Sequence, residues 1–324
     1  MIEVKNLTKD FGFNRGVFDI SFEVKKGEVY GFLGPNGAGK TTTIRMLMGF
    51  SQPGKGIATI NNHDCWKNYY DILDEVGYIP GEVALPEGLS GLEFIEMMKK
   101  MKHADDSRIS YLLDMFELNP DQSMRKMSIG DKRKLAIVSA FMSDPNILIL
   151  DEPTSGLDPI MQNKFIELIK SEKQRGKTIL LSTHIFEEVD ACCDRLSIIK
   201  DGKIISTIDT DTIRNNENKV YKIEFLQDED FNQFMKSNRN IVYSNKTKRK
   251  VRVAINDKEI NRLIKTISAY QIKYFSESQF TLEDYFLKYY KDREGEQSLW
   301  VSLKFRIWRK IMDYREVFLT LILK

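Results

Sequence analysis

Apolar and polar positions alternate through the first thirty residues, as IEVKNL and then FDISFEV, with Gly27 at a turn. A period of two predicts an antiparallel sheet with one solvated face. The pattern then changes. VYGFL (29–33) is continuously apolar and stops at Gly34, as a buried strand does, and TTTIRMLMG (41–49) has helical periodicity with a terminal glycine. Residues 57–80 carry two short strand-like runs, IATI and VGYI. Residues 91–118 are helical in pattern and end at Asn119 and Pro120. A further helix is expected over about 130–142, a buried strand over 147–150, a helix over 161–175 and a strand over 178–182. A short helix (186–193) and strands near 195–199 and 203–208 follow. Buried apolar strands alternating with helices predict an α/β domain with a largely parallel core, closing near residue 210.

IRNNENK (213–219) is polar and turn-like and marks a boundary. Beyond it the order is strand (VYKIEFL), helix (EDFNQFMKS), strand pair (NIVYS, KVRVAI), helix (KEINRLIKTIS), strand (IKYF) and helix (LEDYFLKYY), a small α+β domain. The expected division is 1–212, 213–290, and a tail of polar linker (291–299) and amphipathic helix (300–324). On a helical wheel of the tail, Trp300, Ile307, Trp308, Ile311 and Phe318 share one face, and Arg306, Arg309, Lys310 and Arg315 lie opposite or flank it. That pattern fits a helix in a membrane interface, one packed on a membrane subunit, the first element of a fused one, or a terminal helix docked on the chain's own surface.

Composition narrows the class. The chain of 324 residues is 42% hydrophobic and 30% charged, in the range of a soluble globular protein and long enough for one large domain and one small one. A net charge of +2 gives no global attraction for nucleic acid, which is not an expected partner. Cys65, Cys192 and Cys193 form neither a disulfide framework nor a metal-ligand spacing, and three reduced thiols in a cytosolic protein are expected. The start, MIEVKNLTKDF, reads as a strand and not as a signal peptide. No apolar run approaches the ~18 residues of a spanning helix, so the chain as it stands is expected not to cross a membrane.

The chemistry begins at GPNGAGKTT (34–42), which has the phosphate-loop spacing Gly34, four residues, Gly39, Lys40, Thr41. Here Gly34, Asn36, Gly37, Ala38, Gly39 and Thr42 would offer a curled backbone and a helix N-terminus to phosphate. Lys40 would neutralise the β- and γ-phosphates, and the Thr41 hydroxyl would ligate Mg²⁺. In ILILDEP (147–153) a buried strand delivers Asp151 to the metal and Glu152 to the attacking water. A chance glycine turn or a solvated strand end would explain either motif alone. Together, in strand–loop–helix context, they predict binding and hydrolysis of ATP.

These motifs and three more resemble the ATP-binding subunits of ABC transporters over roughly residues 1–210. In KMSIGDKRKLAI, Ser128 and Gly130 match the second and fourth positions of the LSGGQ signature, while Ile129 and Asp131 depart from it. SGLDP (155–159) looks like the D-loop, and in STHIFEE the residue His184 matches the switch histidine. The resemblance implies a P-loop NTPase core of ABC type, a mixed sheet with a helical subdomain. It implies a head-to-tail dimer with a second ATP-binding subunit, each ATP held between the two. Ser128 and Gly130 would then bind the γ-phosphate of ATP on the partner's loop, Asp158 would bridge the interface, and His184 would contact the γ-phosphate in its own subunit. Adenine would stack on an aromatic after the first strand, where Phe11 lines up better than Phe13 and either could instead be core. VGYIPGE (76–82) resembles the Q-loop, with Gly81 where the family has glutamine; Glu82 could take over its contact. Residues 210–290, through TLEDYF (281–286), resemble the accessory domain of one exporter branch.

The implied protein is an exporter's ATPase, peripheral on the cytoplasmic membrane face and driving a separate permease. Two other classes stand beside it. A non-transport ABC protein would carry fused ATPase domains, coiled-coil insertions or zinc cysteines, and a regulatory module would hold ATP without hydrolysing it.

Overall fold

The computed structural model describes residues 1–214, 218–238 and 240–278. The TLEDYF motif, the expected helix at 282–290, the linker and the tail helix lie outside the described residues.

In chain order the first unit opens with β1 (Ile2–Asp10), β2 (Gly16–Val24) and β3 (Val29–Leu33), then α1 (Lys40–Leu47), β4 (Lys55–Ile60), β5 (His63–Asp64), α2 (Tyr69–Glu75) and β6 (Val76–Ile79). The helices α3 (Gly91–Lys102), α4 (Asp106–Met115) and α5 (Ile129–Phe141) follow. It finishes with β7 (Ile147–Asp151), α6 (Pro159–Gln174), β8 (Thr178–Thr183), α7 (Phe186–Cys192), β9 (Arg195–Lys200), β10 (Lys203–Asp209) and the short α8 (Thr210–Arg214).

Two sheets result. The alternating strands form the antiparallel order β2-β1-β4-β5, and the buried strands form β10-β9-β3-β8-β7-β6, parallel from β9 to β6 with β10 antiparallel at one edge. Every residue of β3, β7 and β8 is buried, which is why their sequences centre on apolar runs, VYGFL, ILIL and ILL. One core joins the sheets: Ile2, Val4 and Leu7 pack with Phe22, Tyr30, Phe32, Ile44 and Ile149. The ring of Phe22 stacks on Tyr30 and Phe32, with centroids 5.6 and 5.2 Å away. Helix α1 has neighbours in β2, β4 and β7, so the helix that follows the glycine-rich loop is held from both sides.

The helical run expected over 91–118 is two helices. His103 takes a left-handed conformation (φ 52°) at the end of α3, and Asp105 caps α4 by accepting from the Ser107 N–H at 2.8 Å. Side-chain caps set the other starts. Ser90 and Glu93 form a reciprocal capping box, and Ser128 caps α5 by accepting from the Asp131 N–H at 3.0 Å. Between the two short strands of 57–80 the structure adds α2, a seven-residue helix with Ile72 alone buried, too short for a periodic signal.

The chain divides into two compact units after Thr212, within α8. The second unit contains β11 (Asn218–Phe225), α9 (Asp228–Ser237), β12 (Ile241–Asn245), β13 (Lys250–Asn256), α10 (Ile260–Ile267) and β14 (Ile272–Ser278), in the antiparallel order β12-β13-β11-β14. Ile223, Phe225, Val251 and Val253 face Phe231 and Phe234 of α9 and Leu263 and Ile267 of α10 in its own core.

Candidate functional site

The parallel sheet brings the carboxyl ends of β3, β7 and β8 side by side, and three loops leave there. The loop after β3 turns tightly. Gly37 and Gly39 have φ of 80° and 109°, and the Gly34 N–H donates to the Thr183 carbonyl at 3.2 Å. A Cβ on Gly34 would overlap the Ile199 carbonyl, and one on Gly39 would lie 2.6 Å from Val17 Cγ1, so the backbone reaches this curl only with glycine. The Lys40 ammonium is 5% exposed; it donates to the Gly34 carbonyl at 2.7 Å and lies 3.0 Å from Glu152 Oε1. Thr41 is exposed at the first turn of α1, and Thr42 is half-buried behind it.

Asp151 ends β7 fully buried, its Oδ1 accepting from the Ser182 hydroxyl and its Oδ2 without a hydrogen-bond partner. Burial pushes its carboxyl above the usual range, and the Ser182 and Thr41 hydroxyls act against that rise. An orphaned buried carboxylate oxygen beside a threonine hydroxyl is the donor set for a hard cation. Among the described residues no group of three or more His, Cys, Asp or Glu could hold a metal. A magnesium ion at Asp151 and Thr41 would therefore draw its other ligands from phosphate and water.

Glu152 follows in the left-handed region (φ 48°), an uncommon backbone for a residue other than glycine, and its N–H donates to the Ser182 carbonyl at 3.0 Å. His184 Nδ1 donates to Glu152 Oε2 at 2.6 Å. Burial works to raise the Glu152 carboxyl, but the His184 hydrogen bond and the Lys40 charge outweigh it and hold it below the usual range. The same hydrogen bond raises His184, against the opposing effect of burial. Behind them the buried Glu188 accepts from the hydroxyls of Thr154 and Thr183 (2.6 Å for the latter), and burial raises its carboxyl.

Of the residues singled out in the sequence, Lys40, Glu152 and His184 are thus in direct contact, with Asp151 and Thr41 alongside. Ser128 and Gly130 stand at the start of α5, and Asp158 at the start of α6. The Ser128 hydroxyl donates to Asp131 Oδ2 at 2.7 Å, and a Cβ on Gly130 would come within 3.2 Å of the Gly156 carbonyl oxygen. The exposed Asp158 carboxylate caps α6 by accepting from the N–H groups of Ile160 and Met161 at 2.9 and 3.1 Å. Phe11 and Phe13 are both exposed, 53% and 94%, which removes the core alternative; Phe11 also lies under the Lys9 ammonium, 5.8 Å from ring centroid to Nζ. Glu82 is exposed, and Gly81 sits against Asp151, where a Cβ would be 2.9 Å from Oδ2.

Two residues of this neighbourhood carried no sequence signal, and a third, Arg133, was legible only as half of the basic pair Lys132 and Arg133 that follows the signature segment. Ser182 and Glu188 look like ordinary positions of a strand and a short helix. Arg133 looks like one basic residue among several, yet it is 5% exposed and donates to the carbonyls of Pro80, Gly81 and Ser155.

Comparison with known proteins agrees with the geometry. The family model described as ABC transporter matches residues 17–155. An uncharacterised ABC transporter ATP-binding protein of Bacillus subtilis, YhcH, is 33% identical over 230 residues, 69% of this chain and 75% of the relative. The bacitracin transport ATP-binding protein of Bacillus licheniformis is 36% identical over 232 residues, 69% of this chain and 74% of that one. The Nod factor export ATP-binding protein of Burkholderia orbicola is 37% identical over 213 residues, 63% and 69% of the two chains. Among solved structures, the ATP-binding subunit of an ABC transporter superposes with a TM-score of 0.61 at 31% identity, covering 66% of this chain and 92% of that one. A dimeric bacterial ABC transporter cassette shares the fold, with a TM-score of 0.59 at 24% identity over 65% of this chain and 99% of that one. The chain therefore belongs to the ATP-binding proteins of ABC transporters and is an ATPase.

Proposed function

We propose that this ATPase is the nucleotide-driven subunit of an exporter, closing as a dimer on ATP and Mg²⁺ and driving a separate permease from the cytoplasmic face of the membrane. The observation that carries the hydrolytic site is the contact of one carboxylate with a lysine and a histidine at the glycine-rich loop, Glu152 with Lys40 at 3.0 Å and with His184 at 2.6 Å. The exporter reading draws on the relatives named for bacitracin transport and Nod factor export.

In this reading the loop N–H groups from Gly34 to Thr42 and the N-terminus of α1 bind the phosphates. Lys40 turns from Glu152 toward the β- and γ-oxygens, which releases Oε1 of Glu152 to accept a proton from the attacking water. His184 keeps Oε2 oriented through Nδ1 and offers Nε2 to the γ-phosphate. Asp151 and Thr41 would hold the magnesium ion, whose charge would offset that building on the transferred phosphoryl oxygens. Ser128 and Gly130, at the N-terminus of α5, serve the γ-phosphate on the other subunit, and Asp158 faces the same junction. Phe11 stacks on adenine.

The test is Glu152→Gln. It should bind ATP and accumulate as an ATP-dependent dimer in sedimentation, while turnover falls roughly 10²-fold or more, the scale of losing a group that acts in the transition state. Hydrolysis near the wild-type rate would sink the role given to Glu152, and a variant that stays monomeric with ATP would remove the dimer.

A further inference from the structure

Gly81 leaves a gap in how the nucleotide site is joined to the rest of the chain, because a glycine has no side chain with which to contact metal or water. The structure puts another side chain to work on the same segment. Arg133 lies five positions after Ser128 on α5 and points its guanidinium inward, 5% exposed. Its Nη1 donates to the Pro80 carbonyl at 2.8 Å and its Nη2 to the Gly81 carbonyl at 2.7 Å. Its Nε donates to the Ser155 carbonyl at 3.1 Å. No carboxylate among the described residues pairs with it directly; Asp151 and Glu152 attract it from a greater distance, and burial lowers its basicity. A buried cation without an ion-pair partner is costly, and three well-aligned carbonyls are what makes it tolerable here.

The three carbonyls sit on loops that matter to hydrolysis. Gly81 lies directly against Asp151 and near Thr41, with a Cβ reaching 2.9 Å from Asp151 Oδ2 and 3.7 Å from Thr41 Oγ1. Ser155 lies three residues past Glu152 on the turn that leads to Asp158, and its N–H donates back to the Glu152 carbonyl at 3.1 Å. The arginine itself rides on the helix that Ser128 caps. We propose that Arg133 is a positioning residue of the ATPase, a planar fork that fixes the 80–81 segment, the 155–158 loop and helix α5 as one body. In this way the two half-sites of the proposed dimer move together although Gly81 has no side chain. The fork is what suits arginine to the place: lysine brings the charge but not three fixed directions.

The proposal deepens the reading of the site given above, and its test is built to fail separately. Full-length Arg133→Met and Arg133→Lys are compared with wild type and Glu152→Gln for ATP turnover and for amide hydrogen exchange without nucleotide. Both arginine variants should lose roughly tenfold or more in kcat, the scale of losing charged hydrogen bonds, with KM for ATP within about threefold of wild type. Peptides spanning 78–83 and 153–158 should lose protection together, while the β3 and β8 strands keep theirs. A lysine variant with near wild-type kcat, or loss of protection in one loop without the other, overturns the clamp. A kcat loss that only follows the fraction of folded protein overturns it equally. If Arg133→Met does not fold, the lysine variant carries each of these readouts by itself. An inactive wild type, or an active Glu152→Gln, would instead fault the reading of the site, and the exchange result on the two loops would still decide the clamp.

Discussion

His184 Nδ1 meets Glu152 Oε2 at 2.6 Å, and the contact moves each group's protonation in the direction that keeps both charged: the histidine is raised and the glutamate lowered. The folded chain therefore favours the ionised pair next to Lys40 more than the unfolded chain does.

That pair has a signed pH dependence. The raised His184 contributes stability that is fully present below its ordinary value of 6.5 and is lost as pH climbs through its higher folded value. The lowered Glu152 contributes stability that is present above 4.5 and is lost as pH falls through its lower folded value. The stability difference between wild type and His184→Gln should then be greatest between pH 4.5 and 6.5 and should shrink at alkaline pH. Denaturant titrations of both proteins at three pH values check this, and a difference that grows toward alkaline pH would contradict it.

Lys40→Ala removes a buried ammonium that serves the Gly34 carbonyl and Glu152 in the folded chain. Loss of a hydrogen bond to a charged group is worth about 1.5–3 kcal/mol. ATP affinity by equilibrium dialysis should therefore fall on the order of ten- to a hundredfold. An affinity within twofold of wild type would place the phosphates elsewhere.

Gly81→Ala should destabilise the first unit. The new Cβ would stand 2.9 Å from Asp151 Oδ2, and neither side yields readily: Asp151 is held by Ser182, and the Gly81 carbonyl by Arg133 at 2.7 Å. Overpacking of this kind costs about 1–3 kcal/mol, a fall of several degrees in Tm by calorimetry at this size. An unchanged Tm would mean that the 80–82 segment moves more easily than the structure indicates.

Asp131→Asn should tighten the proposed ATP-dependent dimer. Asp131 takes the Ser128 hydroxyl at 2.7 Å and sets a carboxylate beside the residue expected to meet a partner's γ-phosphate. Removing that charge in the Glu152→Gln background should lower the dimer dissociation constant roughly threefold or more, the scale of a partly exposed charge interaction. Sedimentation across a concentration series reads it, and weaker association would show that the Asp131 charge helps closure.

Much of this arrangement was legible in the residues. Glycine, lysine and threonine at fixed offsets after an apolar run specify a phosphate loop because few other residues allow that backbone, and Gly34, Gly39 and Lys40 occupy those places in the structure. An apolar strand ending in Asp151 and Glu152 specifies where the carboxylates emerge. The break at His103 was not legible, because it falls in KHADDSR (102–108), where Ala104 alone is apolar and the period of apolar positions cannot show whether the helix continues. Nor was Ser182, since its hydroxyl meets Asp151 through the pairing of β7 with β8.

The sequence by itself determined the kind of chemistry and the order of its parts, since local backbone requirements and the period of apolar residues act over a few neighbouring positions. Only the tertiary structure decided which groups meet. Lys40, Glu152 and His184 are far apart in the chain and come together because β3, β8 and β7 run parallel in adjacent places and end at one level. Arg133 shows the difference most clearly. Its sequence neighbours mark it as one cation of a charged helix, and burial against three backbone carbonyls from two other loops makes it a fastening of the site. Carbonyls carry no residue identity, so a contact made to them leaves no trace in the sequence of the loops that it joins.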